Sequence, residues 1–184
     1  LPLASMRYMQ VVWGLNRSPV IAVRPLNHTD ETPSKGAWQF TDAIESWTWH
    51  GYEGKKAVVE VYANAFSVVL LLNGKKVGQK KLKDCRTRFD VRYEEGTLTA
   101  VAYDEKGNEI SSSQLSSGGK ENVLHVTLDK KVLRANGEDL CFAEIEFSDK
   151  NGNLKPYIEQ PIEIQVDGES VCLQGFGSAL YKTD

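Results

Sequence analysis

The spacing of apolar residues along the chain changes once, close to Val20. Before that point, between Pro2 and Leu15, apolar residues recur every three to four positions, and Gly14 stands near the end of the run. This period matches one face of an α-helix, and a glycine commonly follows a helix end. The start of the chain therefore predicts one amphipathic helix.

After Val20 the pattern consists of short runs that are continuously apolar or that alternate between apolar and polar residues. These runs have the length of β-strands and are rich in valine, isoleucine, tyrosine and phenylalanine, which favour strands. The predicted strands are VIAVRP, KAVVEVYA, SVVLLLN, KVGQKKL, RTRFDVRY, TLTAVAYD, EISSSQL, VLHVTLD, DLCFAEIEFSD, IEIQVDG and VCLQG.

Asn73-Gly74, which separates SVVLLL from KKVGQ, is the clearest turn sequence. Asparagine and glycine both tolerate the positive φ angles that a type I′ hairpin turn requires. Further turn sequences are Glu95-Gly96, DEKGN at 104–108, Asn136-Gly137, DKNGN at 149–153 and Asp167-Gly168. This spacing of strands and turns is typical of a β-sandwich.

These elements predict an all-β chain with two β-sandwich domains in tandem after the short helix. The chain has 184 residues, which leaves room for two domains because one small sandwich needs roughly 100 residues. Serine and glycine accumulate in SSSQLSSGGKEN, residues 111–122, and Gly118-Gly119 is the predicted joint. The predicted domains are residues 1–118 and residues 119–184.

Charge and cysteine content argue against several classes of function. The formal net charge of −3 gives no positive field for a nucleic acid, and no apolar run reaches the roughly 18 residues of a membrane-spanning helix. Three widely spaced cysteines fit neither a disulfide framework nor a metal site, although Cys141 and Cys172 could pair in an exported protein. No signal peptide is visible at Leu1, but the chain starts without a methionine and resembles the inside of a longer protein, so this absence says little about export. A cytoplasmic location is favoured, and export stays open.

No group of residues in the sequence has the pattern of a catalytic or metal site. Asn108-Glu109 has a form found around some glycosidase acid/base glutamates, but its surroundings favour the shoulder of a hairpin. His28, His50 and His125 are isolated from one another and from the cysteines, so they lack metal-ligand spacing. The DKNGN loop has glycine at its fourth position, whereas a calcium loop needs it at the sixth. The sequence therefore predicts no catalytic residue, no metal and no cofactor.

A basic hairpin allows two interpretations. It could bind an acidic surface, or it could be a solvated edge strand. The second is favoured because lysines commonly protect edge strands from pairing with other chains. The residues concerned are Lys75, Lys76, Lys80, Lys81 and Lys83.

The stretch SWTWHGYEGK, residues 46–55, contains a distinctive aromatic pair. If this stretch is extended, Trp47 and Trp49 share one face, and Thr48 and His50 share the other. Exposed indoles would form a stacking platform for a sugar, whereas buried indoles would fill a sandwich corner or a domain seam, each N–H finding an acceptor. Burial is favoured, and Trp47 and Trp49 are the candidate carbohydrate-binding residues.

Residues 46–78 closely resemble the module that follows the catalytic barrel in glycoside hydrolase family two enzymes, the β-galactosidase and β-glucuronidase family. The pattern there is a W-x-W pair, Glu-Gly-Lys, a V-x-V-Y strand and a V-x-L-x-L-N-G-K hairpin. The matching residues, in order, are Trp47, Trp49, Glu53-Gly54-Lys55, Val59, Val61, Tyr62 and Leu70 to Lys75. GTLTAVAYDEKGNE, residues 96–109, resembles the end of the same module.

The second half resembles the immunoglobulin-like module that follows in many of these enzymes. Residues 128–153 look like its L-x-A-D-G-x-D-L pattern and later D-x-N-G turn, with Asn136 where aspartate is usual. GFGSALYKTD, residues 175–184, looks like its G-x-G-S-A loop, after which the family usually continues into another strand. We therefore expect the second sandwich to be truncated. Residues 5–25 are similar to the last barrel helix and its exit.

The resemblance implies two immunoglobulin-like β-sandwiches from the C-terminal accessory region of a family two glycosidase, most closely of β-galactosidase type. The family's retaining mechanism uses two glutamates on barrel strands, with carboxyl groups about 5–5.5 Å apart, and neither motif is present in this chain. The expected partner is the catalytic barrel of the same parent chain, acting on terminal β-galactosides, and the fragment itself is expected to be inactive. A homo-oligomeric parent and a carbohydrate partner stay open, whereas nucleic acid and membrane are not expected partners.

Two other functions stay open. A carbohydrate-binding module would use Trp47 and Trp49 as its platform, and saturable quenching of tryptophan fluorescence by galactosides would identify it. A bacterial surface adhesion domain would share the pattern of the second sandwich, and an upstream signal peptide with tandem copies and no barrel would identify it. Fold resemblance alone does not supply a substrate.

Overall fold

The computed structural model describes residues 4–28 and 39–177. Helix α1 comes first, and nine strands follow it, with a short 3-10 helix at Leu26–His28 after the first strand. The bounds are α1 Ala4–Val12, β1 Val20–Val23, β2 Lys56–Tyr62, β3 Ser67–Leu72, β4 Lys75–Lys81, β5 Arg86–Arg92, β6 Thr97–Tyr103, β7 Glu109–Ser116, β8 Val123–Leu128 and β9 Ala143–Ser148. They confirm the predicted helix and the first nine predicted strands.

The last two predicted strands are wrong. IEIQVDG and VCLQG, residues 162–168 and 171–175, form no paired strand within the described ranges. Alternating apolar residues favour an extended backbone, but a strand also needs ladder hydrogen bonds to a neighbour. Residues 178–184 of the predicted G-x-G-S-A loop lie outside the described residues, as does Leu3 of the predicted helix.

The strands up to β7 form a sandwich of two antiparallel sheets. One sheet has the strand order β1-β2-β5, and the other has the order β4-β3-β6-β7. Their inner faces meet in one apolar core, so the all-β sandwich prediction is confirmed for this part of the chain. Core residues include Ile21, Val59, Val61, Val68, Leu70, Phe89, Leu98 and Ala100.

Strand β1 is buried on both faces because helix α1 covers the outer face of its sheet. Ile21 and Val23 belong to the sandwich core, whereas Val20 and Ala22 pack with Val11 beneath the helix. This explains why β1 is a continuous apolar run instead of an alternating one.

The β3–β4 hairpin has the predicted type I′ turn. The φ angles of Asn73 and Gly74 are 51° and 76°, as that turn requires. The Asn73 side chain also accepts a hydrogen bond from the Thr97 backbone N–H at 2.8 Å and donates to the carbonyl of Glu95 at 3.0 Å. The turn therefore ties this hairpin to the segment between β5 and β6. Strand β4 is at an edge of its sheet, which confirms the edge-strand interpretation of its lysines.

We call residues 4–28 and 39–117 the first region, and residues 120–177 the second region. In the second region β8 and β9 form a two-stranded antiparallel sheet. Several of its apolar side chains are exposed, including Leu124, Val126, Leu128, Leu140 and Phe142. Cys85, Cys141 and Cys172 are free thiols. None of the helices in the described ranges is both long and apolar enough to cross a membrane.

Candidate functional site

The tryptophan pair lies in the core of the first region and not on its surface. Trp47 and Trp49 are 0% exposed. Trp47 Nε1 donates to the Glu94 carbonyl at 3.0 Å, and Trp49 Nε1 is 3.4 Å from the carbonyl oxygen of Ser46. Both indoles thus combine an apolar contact surface with an acceptor for the N–H group, as buried tryptophans commonly do.

Residues 46–49 are not a strand, which corrects the assumption of an extended strand in this stretch. Their backbone groups bond to side chains and to nearby backbone in the same segment, and not to a neighbouring strand. The Trp49 N–H donates to the Tyr93 hydroxyl at 2.9 Å, and the Thr48 N–H donates to Ser46 Oγ at 3.1 Å. The alternation of side chains survives, because the indoles face the sandwich core while Thr48 faces the linker to the second region.

Tyr93, the residue directly after β5, holds this stretch in place. Its ring packs edge-on against Trp47 with centroids 4.8 Å apart. Its hydroxyl accepts from the Trp49 N–H and lies 3.4 Å from the Trp47 carbonyl oxygen. Burial raises the pKa of this hydroxyl, so it keeps its proton for donation at neutral pH.

The same stretch contacts the linker and the second region. Thr48 Oγ1 accepts a hydrogen bond from the Gly118 N–H at 2.9 Å, and Ser46 Oγ donates to the Leu154 carbonyl at 2.6 Å. The Tyr157 ring lies 6.1 Å from the ring of Trp49, measured between centroids. We call these contacts the seam. Space at Gly118 is tight, because a Cβ atom would lie 3.2–3.3 Å from the side chains of Asn153 and Thr48.

Asp149 fixes the linker from the side of the second region. Its Oδ2 accepts from the Gly119 N–H at 2.8 Å and from the Asn153 side chain at 2.9 Å. Its Oδ1 accepts from the backbone N–H groups of Asn151 and Asn153. Burial raises the pKa of this carboxyl, but the hydrogen bonds from Asn153, Gly119 and Asn151 outweigh burial and hold the pKa well below its usual range. The DKNGN loop is thus a turn, as predicted, and it is also an anchor for the linker.

A polar cluster of His50, Glu53 and Glu95 lies at the solvent-exposed edge of the seam. Their potential ligand atoms all lie within 4.8 Å of one another. His50 Nδ1 is 2.6 Å from Glu95 Oε1, and His50 Nε2 is 3.4 Å from the Gly119 carbonyl oxygen. Hydrogen bonds from the backbone amides of Glu53 and Gly51 lower the pKa of the Glu53 carboxyl. This is a group of nitrogen and oxygen atoms that could hold a cation.

Sequence reasoning missed this cluster because its members are distant along the chain. Glu95 is 45 residues from His50, so no local spacing rule connects them. One signal was present, since Glu53 and Glu95 each precede a turn glycine. The fold brings these two turns to the same end of the sandwich.

The other candidates have structural surroundings. The backbone and side-chain N–H groups of Asn108 donate to Asp104, and Glu109 begins β7, so this pair forms the shoulder of a hairpin. His125 is exposed on β8. It lies opposite Glu146 of β9 in the two-stranded sheet.

Two surface depressions lie away from the tryptophans and from the polar cluster. One has a volume of about 430 Å³ and is formed by the loop between β8 and β9. The other has a volume of about 420 Å³ and includes Phe66, Lys81 and Ile110. Neither depression is lined by Trp47 or Trp49. The carbohydrate-binding role of these two residues stays a prediction. As placed, the two rings have no face on which a sugar could stack.

Comparisons with known proteins match both halves of the chain. Residues 54–111 match a family described as domain of unknown function (DUF4982), and residues 124–181 match the glycoside hydrolase family 2 C-terminal domain 5.

Among full-length relatives, a β-galactosidase of Bacteroides ovatus, BoGH2A, is 32% identical over 123 residues, which are 65% of this chain and 14% of the relative. A β-galactosidase of Thermoanaerobacter pseudethanolicus is 27% identical over 89 residues, covering 48% of this chain and 12% of the relative. The chain therefore spans about one seventh of the first of these relatives.

A solved structure gives the same picture. A glycosyl hydrolase family 2 member from Bacteroides cellulosilyticus superimposes with a TM-score of 0.61 and 30% sequence identity. The match covers 80% of this chain and 20% of that one. The similarity thus includes both the sandwich of the first region and sequence from the second.

Proposed function

Since this chain belongs to the non-catalytic C-terminal region of glycoside hydrolase family 2 enzymes, we propose that it supports the catalytic barrel of a longer parent enzyme. The parent would hydrolyse terminal β-galactosides. The chain would contribute two accessory domains, residues 1–118 and 119–184. The proposed substrate class rests on the names of the two β-galactosidase relatives.

The observation that carries this proposal is the exposed apolar side of the start of the chain. One face of α1 is buried against β1 and β2, with Ala4 and Val11 in that contact. Just after the end of α1, Trp13 is 66% and Leu15 is 73% exposed, and Met6 and Val12 of the helix are also exposed. A cluster of exposed large apolar residues commonly marks an interaction surface. We assign this surface to the catalytic barrel.

The seam supports a structural role for the rest of the chain. Trp47 and Trp49 are buried in the core. Thr48, between them, forms a hydrogen bond with the linker, and Ser46, beside them, forms one with the second region. A domain that supports a barrel benefits when its parts are held in a fixed position by such hydrogen bonds. A sugar-binding platform, by contrast, needs exposed aromatic faces. We therefore do not propose sugar stacking on these two rings.

The experiment uses the parent enzyme and the 184-residue chain side by side. We expect Trp13→Asp with Leu15→Asp to lower the melting temperature and the β-galactosidase activity of the parent, because a charged surface would face the barrel. The same double variant should leave the melting temperature of the isolated chain nearly unchanged, since both side chains are already exposed there.

Val132→Asp provides the matched control. Val132 is another exposed apolar residue, but it lies in the second region. It should change neither melting temperature. The proposal is wrong if the double variant leaves the parent as stable and as active as the wild type. It is also wrong if the isolated chain cleaves an aryl β-galactoside at ordinary enzyme concentrations.

A further inference from the structure

We propose that His50, Glu53 and Glu95 form a binding site for a divalent transition-metal ion at the edge of the seam. The three residues come from two separate turns, and their ligand atoms lie within 4.8 Å of one another. The inference does not depend on the function of the parent enzyme.

Both ring nitrogens of His50 lie close to oxygen atoms. Nδ1 faces a carboxylate oxygen of Glu95 at 2.6 Å, and Nε2 faces the Gly119 carbonyl oxygen at 3.4 Å. Both oxygens are acceptors, but a neutral imidazole carries a hydrogen on only one nitrogen. A neutral ring would therefore turn a nitrogen lone pair toward an oxygen lone pair on one side. That repulsion is removed when Nε2 carries the hydrogen and Nδ1 binds a metal ion together with Glu95, in place of their direct contact.

The geometry around His50 is the arrangement found for metal-binding histidines. Such a histidine commonly donates its other ring N–H to a backbone carbonyl or a carboxylate, which fixes the orientation of the ring. Here the Gly119 carbonyl oxygen, 3.4 Å from Nε2, is placed to accept a hydrogen bond when Nε2 carries the hydrogen. Nδ1 is then left as the ligand atom, directed toward the two carboxylates.

The ligand set indicates the class of ion. One imidazole nitrogen and two carboxylate oxygens suit Zn²⁺ and neighbouring first-row ions better than Ca²⁺ or Mg²⁺, which prefer ligand sets made only of oxygen. Ligand distances of about 2.0–2.2 Å in a tetrahedral zinc site place neighbouring ligand atoms farther apart than the 2.6 Å between His50 Nδ1 and Glu95 Oε1, so these two side chains must separate slightly to admit the ion. Glu53 and Glu95 are exposed, so their rotamers can make this adjustment, with water as the fourth ligand.

An ion bound at this site would link parts of the chain that are otherwise held together by hydrogen bonds. His50 and Glu53 follow the tryptophan stretch, Glu95 precedes β6, and Gly119 belongs to the linker. An ion that binds only when these segments are together stabilises the folded chain by mass action. The site is therefore expected to stiffen the seam.

The test is a titration of the reduced 184-residue chain with Zn²⁺, followed by calorimetry and by thermal unfolding. We expect saturable binding of one ion and a rise in melting temperature. His50→Gln and Glu95→Gln should each weaken binding at least tenfold and remove the rise. Glu53→Gln is a second variant with an exposed side chain that should fold normally and also weaken binding.

His125→Gln is the matched control, because it removes an exposed histidine from β8 and should leave binding unchanged. A Co²⁺ spectrum excludes binding at Cys85, Cys141 or Cys172, since thiolate ligands add a charge-transfer band that this site lacks. The proposal is overturned if the wild type shows no saturable binding. It is also overturned if His50→Gln and Glu95→Gln bind as tightly as the wild type.

Discussion

The first and second regions use similar sequences but bury them to very different extents. Val59 on β2 and Val126 on β8 both lie in valine-rich strands, yet Val59 is 0% and Val126 is 56% exposed. Strand β2 lies between two neighbours and faces a second sheet, whereas β8 pairs with β9 alone among the described residues. A two-stranded sheet has too little surface around it to bury its own side chains. The sequence of a strand thus provides apolar side chains, but their burial depends on whether another sheet or helix covers them.

Each region also contains a turn of the same type, but the two turns have different roles. In DEKGN, Asp104 accepts hydrogen bonds from the backbone of Lys106 and Asn108 and from the Asn108 side chain. In DKNGN, Asp149 makes the equivalent bonds and accepts one more, from the Gly119 N–H. The first turn closes a hairpin on the surface. The second also holds the linker, and the difference arises from its position in the fold.

The largest effect on stability is expected from the removal of a buried tryptophan side chain. Trp47→Ala removes a fully buried indole and its bond to Glu94, which should lower the free energy of unfolding by about 3–5 kcal/mol. Urea unfolding followed by circular dichroism measures this loss. Trp13→Ala, at an exposed position, should change stability by no more than about 0.5 kcal/mol. Equal effects of the two variants would contradict the burial of Trp47.

A smaller loss is expected for Gly96→Ala. Gly96 has a φ of 133°, and a Cβ atom there would overlap the Asn73 side chain, which holds Thr97. We expect a loss of about 2 kcal/mol from backbone strain and displacement of Asn73. Gly107→Ala is the control, since its φ is also positive but nothing lies near the added atom. It should cost only about 1 kcal/mol, and thermal unfolding distinguishes the two.

Asp149→Asn should separate the linker from the second region. The amide cannot accept all the hydrogen bonds that the carboxylate accepts, so at least one buried donor loses its partner, at about 1–3 kcal/mol. Amide hydrogen exchange at Gly119 should accelerate. Asp104→Asn should accelerate exchange only within its own turn. If Gly119 exchanges at the wild-type rate in Asp149→Asn, the anchor assigned to Asp149 is wrong.

The pKa of the Asp149 carboxyl predicts how acid affects the stability of the folded chain. Its pKa is lowered in the folded chain, so its contribution to stability is fully present above the unfolded value of about 3.9. That contribution is lost as the pH falls through the folded pKa. The Gly119 amide shift should therefore remain constant down to about pH 4 and change only in stronger acid. A transition at pH 5 or above would contradict the hydrogen-bond set.

The smallest effect is expected on the exposed face of β8. Val126→Ala should change the free energy of unfolding by no more than about 0.5 kcal/mol, because the side chain is already half exposed. Val59→Ala, at a fully buried position, should cost about 2 kcal/mol. Chemical unfolding of both variants compares the two regions directly. A large loss for Val126→Ala would show that another part of the molecule covers β8.

The candidate sites show where prediction from sequence stops. The choice between exposed and buried tryptophans was open in the sequence, because extended alternation puts Trp47 and Trp49 on one face without saying what covers it. The polar cluster was not predicted at all, because His50 and Glu95 meet only after β2, β3, β4 and β5 have packed into two sheets. Long-range contacts of this kind have no local period.

The sequence by itself determined the local elements and the family. Hydrophobic period distinguished α1 from the strands, Asn73-Gly74 specified its turn, and the motif from Trp47 to Lys75 identified the type of domain, because each depends on neighbouring residues. It overestimated the strands after residue 160, since a strand exists only through its partner. The tertiary structure alone decided that the indoles are core, that Asp149 holds the linker, and that His50 faces two carboxylates. These depend on surfaces meeting across the fold, where burial and hydrogen bonding are set by residues far apart in the chain.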